Sequence, residues 1–142
     1  MEEKYIDVAG ARTRYLEAGQ GEPLVLIHGG GYASHPNANA WDMVMDGFAD
    51  KGFHVFAPDK IGAGFRDHPT RDEDYVIDTT VSHLLAFFDA VGIDAAHIAG
   101  HSRGGYTATR TAIDAAPRVK TLVVVASGSM MTEHNPIYDQ WA

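Results

Sequence analysis

Gly100-His101-Ser102-Arg103-Gly104 is the stretch that decides the fold of this 142-residue chain. It follows the pattern G-x-S-x-G, directly behind a short apolar run and ahead of a segment rich in small residues. Glycines flanking the serine permit a strained strand-to-helix turn, because larger side chains two residues away would strike the neighbouring strand and helix. The pattern predicts a buried strand, a sharp turn with Ser102 at its tip, and a helix.

A serine held at such a turn is suited to attack a carbonyl carbon. The helix that follows presents free N–H groups, which favour negative charge developing near Ser102. The backbone N–H of Arg103, the residue after the serine, is the first predicted oxyanion donor. The structural alternative is an ordinary glycine-rich turn between a strand and a helix.

A second motif, His28-Gly29-Gly30-Gly31, follows the apolar run 24–27. Acyl chemistry needs two backbone donors at one oxyanion, and glycine lets a loop after an earlier strand turn inward. We predict Gly30 as the second donor and His28 as a structural hydrogen-bonding residue. A phosphate-binding loop is the alternative, but the stretch matches neither G-x-x-x-x-G-K-[ST] nor G-x-G-x-x-G.

The third motif, Asp59-Lys60-Ile61-Gly62-Ala63-Gly64, follows the strand predicted for residues 53–57. An aspartate at a strand end commonly accepts hydrogen bonds from nearby backbone N–H groups. We therefore expect Asp59 to tie the loop together, and a catalytic role for it is the alternative.

Hydrophobic spacing predicts an alternation of strands and helices. Two short alternating runs around Gly10 indicate an antiparallel hairpin, and continuous apolar runs indicate strands buried on both faces. The predicted fold is α/β, a mostly parallel sheet with an N-terminal antiparallel hairpin and helices on both faces. Residues 1–126 are predicted to form its core, and residues 127–142 the start of a lid or connecting segment. The predicted strands are 4–8, 12–16, 24–27, 53–57, 95–99 and 119–126, and the predicted helices are 40–51, 75–91 and 103–115.

Composition excludes several function classes. The net charge of −8, without any cluster of basic residues, argues against nucleic-acid binding. The chain has no cysteine, no apolar leader and no apolar run long enough for a bilayer, so we expect a cytoplasmic protein. We also expect neither metal nor cofactor. His97 and His101 are four residues apart at a predicted strand, where four residues span roughly 13 Å, so they cannot share a small ion.

Taken in order, the three motifs resemble those of the α/β-hydrolase fold family. That resemblance implies a serine hydrolase acting on a small carbonyl substrate, without a cofactor. The segment 32–41, with Asn37 and Asn39, is similar to meta-cleavage-product hydrolases, which cleave a carbon–carbon bond of dienoates; carboxylesterases and lactonases share most of the pattern. Epoxide hydrolases and haloalkane dehalogenases of this fold have Asp where this chain has Ser102.

The resemblance also implies site residues. Ser102 is the predicted nucleophile, and Gly30 and Arg103 supply the oxyanion hole. Gly29, Gly31, Asn39 and His101 are assigned to substrate binding. Relatives often carry an apolar residue at the position of Arg103; we expect its side chain to form an ion pair with a local carboxylate, and recognition of an anionic substrate is the alternative.

The family places its triad acid and histidine after later strands, and we expect neither within this chain. Glu133, His134 and Asp139 follow the last predicted strand and are not assigned to the triad. We therefore expect a fold truncated after its sixth strand, inactive alone, that needs a C-terminal half or self-associates through residues 119–126. The alternative is a non-catalytic binding or interaction domain of the same fold.

Overall fold

The structure, a computed structural model, describes residues 1–30, 37–61 and 77–128. Within these ranges the chain alternates between strands and helices, in the order predicted from the sequence. The strands are β1 (Glu2–Val8), β2 (Ala11–Ala18), β3 (Glu22–Ile27), β4 (Phe53–Pro58), β5 (Ala96–His101) and β6 (Val119–Val125). The α-helices are α1 (Asp42–Ala49), α2 (Ile77–Ala90) and α3 (Arg103–Asp114), and short 3-10 turns cover Ala38–Trp41 and Ala116–Arg118.

All six strands join one sheet in the order β1-β2-β4-β3-β5-β6. β1 pairs with β2, and β2 with β4, in antiparallel fashion, whereas the pairs of β3 with β4, β3 with β5 and β5 with β6 are parallel. The predicted α/β fold with an N-terminal hairpin is therefore confirmed. The chain moves from β3 to β4 on one side and returns to β5 on the other, so the carboxyl ends of β3 and β5 flank a crevice at the point where the strand order reverses.

The core lies on both faces of the sheet. Val25 and Ile27 of β3 join one buried cluster with Phe87 and Phe88 of α2. The alternate residues of β3, Leu24 and Leu26, join a second cluster that includes Met45 of α1. β3 is thus covered on both sides, as its continuous apolar run predicts, and it forms a rigid support for the loop that follows it.

α1 differs from the helix predicted over residues 40–51. Its first part is a 3-10 turn, capped by the side chain of Asn37, and the α-helix begins at Asp42. Met45 is fully buried, whereas Val44 and Phe48, two other apolar side chains of the helix, are 42% and 36% exposed. The helix packs through the single i, i+4 ridge of Trp41, Met45 and Ala49, which leaves the flanking side chains in contact with solvent.

β6 forms one edge of the sheet. Its only strand neighbour among the described residues is β5. Four consecutive apolar side chains of β6, from Leu122 to Val125, are 38–52% exposed, so the predicted apolar edge is present.

Some predictions concern residues outside the described ranges: Gly31, Glu133, His134 and Asp139, and most of the segment 127–142. None of the described helices has the length and hydrophobicity to cross a bilayer.

Candidate active site

The turn between β5 and α3 holds Ser102 in a strained conformation. Its φ is 55° and its ψ is −124°, a region that residues with a side chain rarely adopt. The Ser102 N–H donates to the carbonyl of Val125 at 2.9 Å, and the Ser102 carbonyl accepts from the N–H of Gly105 at 2.9 Å. The elbow is thus fixed both by β6 and by the first turn of α3.

The two glycines of G-x-S-x-G are required by close backbone contacts. A Cβ on Gly100 would lie 2.2 Å from the carbonyl oxygen of Gly104, in the following helix. A Cβ on Gly104 would lie 2.2 Å from the carbonyl oxygen of Ile27, at the end of β3. These are the two steric collisions, one with helix and one with strand, that the sequence pattern predicts.

The glycine loop after β3 lies directly against the elbow. A Cβ on Gly29 would be 3.0 Å from Cβ of Ser102 and 3.1 Å from Nδ1 of His101. Gly30 follows with a φ of 76°, in the left-handed region that favours glycine. The contact brings the predicted oxyanion loop, the predicted nucleophile and His101 together at the carboxyl ends of β3 and β5.

Two backbone N–H groups at this crevice remain available to a ligand. Arg103 is the first residue of α3, and its N–H has no acceptor among the described residues. The N–H of Gly30 likewise has none in those parts of the chain. The Ser102 hydroxyl makes no capping hydrogen bond to α3. One end of the sheet therefore holds a partly exposed hydroxyl and two backbone donors for which the described part of the chain supplies no acceptor.

His28 clamps the base of the glycine loop. Its imidazole is fully buried, Nε2 accepts from the backbone N–H of Lys60 at 3.1 Å, and Nδ1 lies 2.8 Å from the carbonyl oxygen of Gly29. Because Nε2 is an acceptor here, the proton is on Nδ1 and Nδ1 donates to Gly29. Burial, with the charge of Lys60 nearby, lowers the pKa of His28 to about 3. The imidazole is thus neutral at pH 7, and the predicted structural role is confirmed.

The Lys60 side chain reaches the same loop. Its ammonium donates to the carbonyl oxygen of Gly30 at 3.0 Å. Burial, and then the neighbouring charge of Arg103, lower the pKa of Lys60 to about 8. The mouth of the site therefore contains two cationic side chains.

The Arg103 side chain is exposed. It forms no ion pair with a carboxylate of the described residues. The expected ion pair stays a prediction, because several carboxylates of the chain lie outside the described ranges.

Asp59 lies behind the loop in a buried polar network. Its Oδ1 accepts from the backbone N–H of Ala38 at 2.7 Å and from Arg14 at 3.4 Å. Asp59 thus accepts a backbone N–H, as its residue type predicts, but the donor belongs to the segment before α1 and not to its own loop. The prediction that Asp59 ties its own loop concerns residues 62–64 as well, which lie outside the described ranges. Arg14 also donates to the amide oxygen of Asn39 at 2.7 Å. Asn39, predicted to bind substrate, is thus engaged by Arg14, and no contact between it and Ser102 is present.

Sequence reasoning missed three features that support this site. The contact of His28 with Lys60 joins residues 32 apart, and no local pattern indicates it. Thr107 and Thr111 of α3 are buried beside Ala108 on the face of the helix that packs in the core. Their hydroxyls donate to carbonyls four residues earlier, at 3.3 and 2.8 Å, which satisfies them inside the core. The i, i+4 spacing of these two threonines was the sequence signal that could have indicated their burial.

No cluster of three side chains suited to a metal ion occurs among the described residues. His97, one of the two histidines of β5, instead has Nδ1 2.7 Å from the hydroxyl of Thr121.

Comparison with known proteins agrees with this geometry. The family model of the alpha/beta hydrolase fold matches residues 22–142. The chain belongs to the α/β-hydrolase fold family. This α/β-hydrolase chain is 35% identical over 132 residues to 2-hydroxy-6-oxo-6-(2'-aminophenyl)hexa-2,4-dienoic acid hydrolase of Metapseudomonas resinovorans, covering 92% of this chain and 44% of the relative. It is 32% identical over 126 residues to epoxide hydrolase A of Mycobacterium tuberculosis, covering 87% and 38%.

Among solved structures, a meta-cleavage product hydrolase from Pseudomonas fluorescens IP01 superposes with a TM-score of 0.75 and 38% identity, covering 84% of this α/β-hydrolase chain and 43% of that chain. The chain therefore spans less than half the length of the relatives it matches.

Proposed function

We propose that this chain carries the nucleophile and oxyanion hole of a serine hydrolase acting on a carbonyl substrate. The observation that carries the proposal is the contact of the Gly29 loop with the strained Ser102 turn, where a Cβ on Gly29 would lie 3.0 Å from Cβ of Ser102. Backbone strain at a serine, beside a glycine loop of an adjacent strand, is an arrangement that stability alone does not favour.

In the proposed reaction, Oγ of Ser102 attacks the substrate carbonyl carbon while a general base accepts the hydroxyl proton. The carbonyl π electrons move to oxygen, and the N–H groups of Gly30 and Arg103 stabilise the oxyanion. Collapse of the tetrahedral intermediate breaks the bond to the leaving group, which takes up a proton. Water then attacks the acyl-enzyme and restores the serine.

The proposal assigns the general base and its orienting acid to residues outside the described ranges. No described side chain bonds to the Ser102 hydroxyl. We infer that activity requires the part of the protein that corresponds to the unmatched remainder of the relatives, and that the chain alone retains the small acceleration due to the oxyanion hole and substrate binding.

Two features favour a carbonyl substrate over an epoxide. Ser102 replaces the aspartate expected of an epoxide hydrolase, and a serine acyl intermediate needs the oxyanion donors found here. The similarity to a dienoic acid hydrolase supports a dienoate carbon–carbon bond as one substrate class, beside esters and lactones.

A fluorophosphonate probe tests the proposal on this chain. We expect slow covalent labelling that maps to Ser102 by peptide mass spectrometry and disappears in Ser102→Ala. Ser127→Ala is the matched control: it removes another serine hydroxyl close to α3, one that is buried without a hydrogen-bond partner, and it should retain labelling. Labelling that persists in Ser102→Ala overturns the proposal. A folded protein with no labelling favours a non-catalytic binding domain.

A further inference from the structure

The ammonium of Lys60 occupies a costly position beside the proposed oxyanion hole. It is largely removed from water, and the charge of Arg103 that acts on it carries the same sign. Within the described ranges the ammonium donates a hydrogen bond of 3.0 Å to the carbonyl oxygen of Gly30. A buried ammonium near a second cation opposes folding, so its retention at this position indicates a role for the contact it makes.

Gly30 needs such a restraint. Its φ of 76° is open to glycine, but glycine is also the residue with the greatest freedom to leave that conformation. Across a trans peptide the C=O and N–H groups point in opposite directions. The bond from His28 to the Gly29 carbonyl therefore sets the direction of the Gly30 N–H, and the bond from Lys60 to the Gly30 carbonyl holds the next peptide plane.

We propose that Lys60 is a positioning residue of the oxyanion loop. Its ammonium fixes the peptide plane that contains the Gly30 carbonyl. Its backbone N–H orients the imidazole of His28, which in turn fixes the preceding peptide plane, the one that contains the Gly30 N–H. This proposal rests on the proposed function, because that function is what assigns oxyanion binding to the loop. Lys60 touches two loop groups in succession, and neither the ammonium nor its backbone N–H contacts Ser102.

Among the residues that the structure describes, the charged and titratable groups around Lys60 come from three elements. His28 follows β3, Arg103 begins α3, and Asp59 precedes Lys60 in its own loop with its carboxylate directed to Arg14 and Ala38. His28 stays neutral between pH 6.5 and 9.5, because its pKa is lowered to about 3. Loss of the Lys60 proton over this range weakens its hydrogen bond to Gly30.

The test follows the backbone carbonyl carbon-13 and amide resonances of Gly30 by NMR, in the chain as it stands, from pH 6.5 to 9.5. We expect one transition near pH 8 in the wild type and none in Lys60→Met. In Lys60→Arg the Gly30 resonances should stay, at every pH, close to the values that the wild type shows at pH 6.5. Lys51→Met, which removes an exposed lysine after α1, should preserve the transition. An unchanged Gly30 in the wild type, or a transition that survives in Lys60→Met, overturns the proposal.

The rate of fluorophosphonate labelling at Ser102 is the second readout. At pH 7, Lys60→Met should label about tenfold more slowly, and Lys60→Arg should recover to within about threefold of the wild type. Equal rates in wild type and Lys60→Met overturn the positioning role. Complete lack of labelling in the wild type counts against the proposed function instead, and the Gly30 titration then decides the Lys60 proposal by itself.

Discussion

Gly104 lies against Ile27 so closely that a Cβ on the glycine would be 2.2 Å from the carbonyl oxygen of Ile27. The contact joins the first turn of α3 to the end of β3, and both groups are backbone, so neither can rotate away. It sets the distance between the elbow and the glycine loop.

Gly104→Ala should therefore separate α3 from β3 or prevent folding. We expect a loss of at least about 2 kcal/mol in the free energy of unfolding, as for overpacking of a core, measured by urea denaturation. Gly47→Ala is the matched control: Gly47 lies in α1 with open space around the Cβ position. That exchange should stabilise the protein by about 0.5–1 kcal/mol. A Gly104→Ala variant as stable as wild type would contradict the steric argument.

The strain at Ser102 gives a second prediction. At φ 55° and ψ −124° glycine is much less strained than alanine. Ser102→Gly should therefore be more stable than Ser102→Ala by about 1 kcal/mol or more in thermal unfolding, although neither variant can be labelled. As a control, Ala112→Gly replaces alanine by glycine within α3 and should lower the stability by about 1 kcal/mol. If Ser102→Ala proves the more stable of the pair, the turn is not strained as described.

Much of this fold follows from local sequence patterns. Strand and helix positions depend on hydrophobic period and on glycines at element ends, and the predicted elements agree with the structure apart from the start of α1. The two glycines around Ser102 predicted collisions with helix and strand that the structure contains. Local patterns suffice here because the turn, its strand and its helix are consecutive in sequence.

The rest of the site depends on contacts between distant residues. Lys60 reaches His28 and Gly30 because β3 and β4 pair in parallel, which brings the ends of both strands to one edge. The ion pair expected for Arg103 was inferred from the cost of burying a charge, but the side chain is exposed. Exposure at a helix start depends on tertiary packing, which periodicity alone does not report.

The neutral His28 imidazole predicts a specific acid sensitivity. Its folded pKa of about 3 lies below the ordinary 6.5, so between these values the unfolded chain binds more protons than the folded one. Stability contributed by neutral His28 is present above pH 6.5 and is lost as the pH falls toward 3, by up to about 5 kcal/mol. His28→Gln keeps an acceptor for Lys60 and a donor for Gly29 without a titrating ring.

We therefore expect unfolding free energy to fall less steeply with acid in His28→Gln than in wild type, measured by urea denaturation between pH 4 and 6.5. His97→Gln is the control, since it removes a histidine that is 26% exposed on the same sheet. Parallel acid slopes for wild type and His28→Gln would show that protonation of His28 does not oppose folding.

The exposed edge at β6 predicts self-association of this chain. Val123 is 52% exposed, and its strand has a free edge among the described residues. Unpaired apolar edges template pairing with other chains, and lysine on an edge strand opposes it. Val123→Lys should therefore move the chain from associated species toward monomer in light scattering at tens of micromolar, with little change in unfolding free energy. Val44→Lys, at a valine of α1 that is 42% exposed, should leave association unchanged. Equal dispersal by both variants would mean that general charge, and not the β6 edge, governs association.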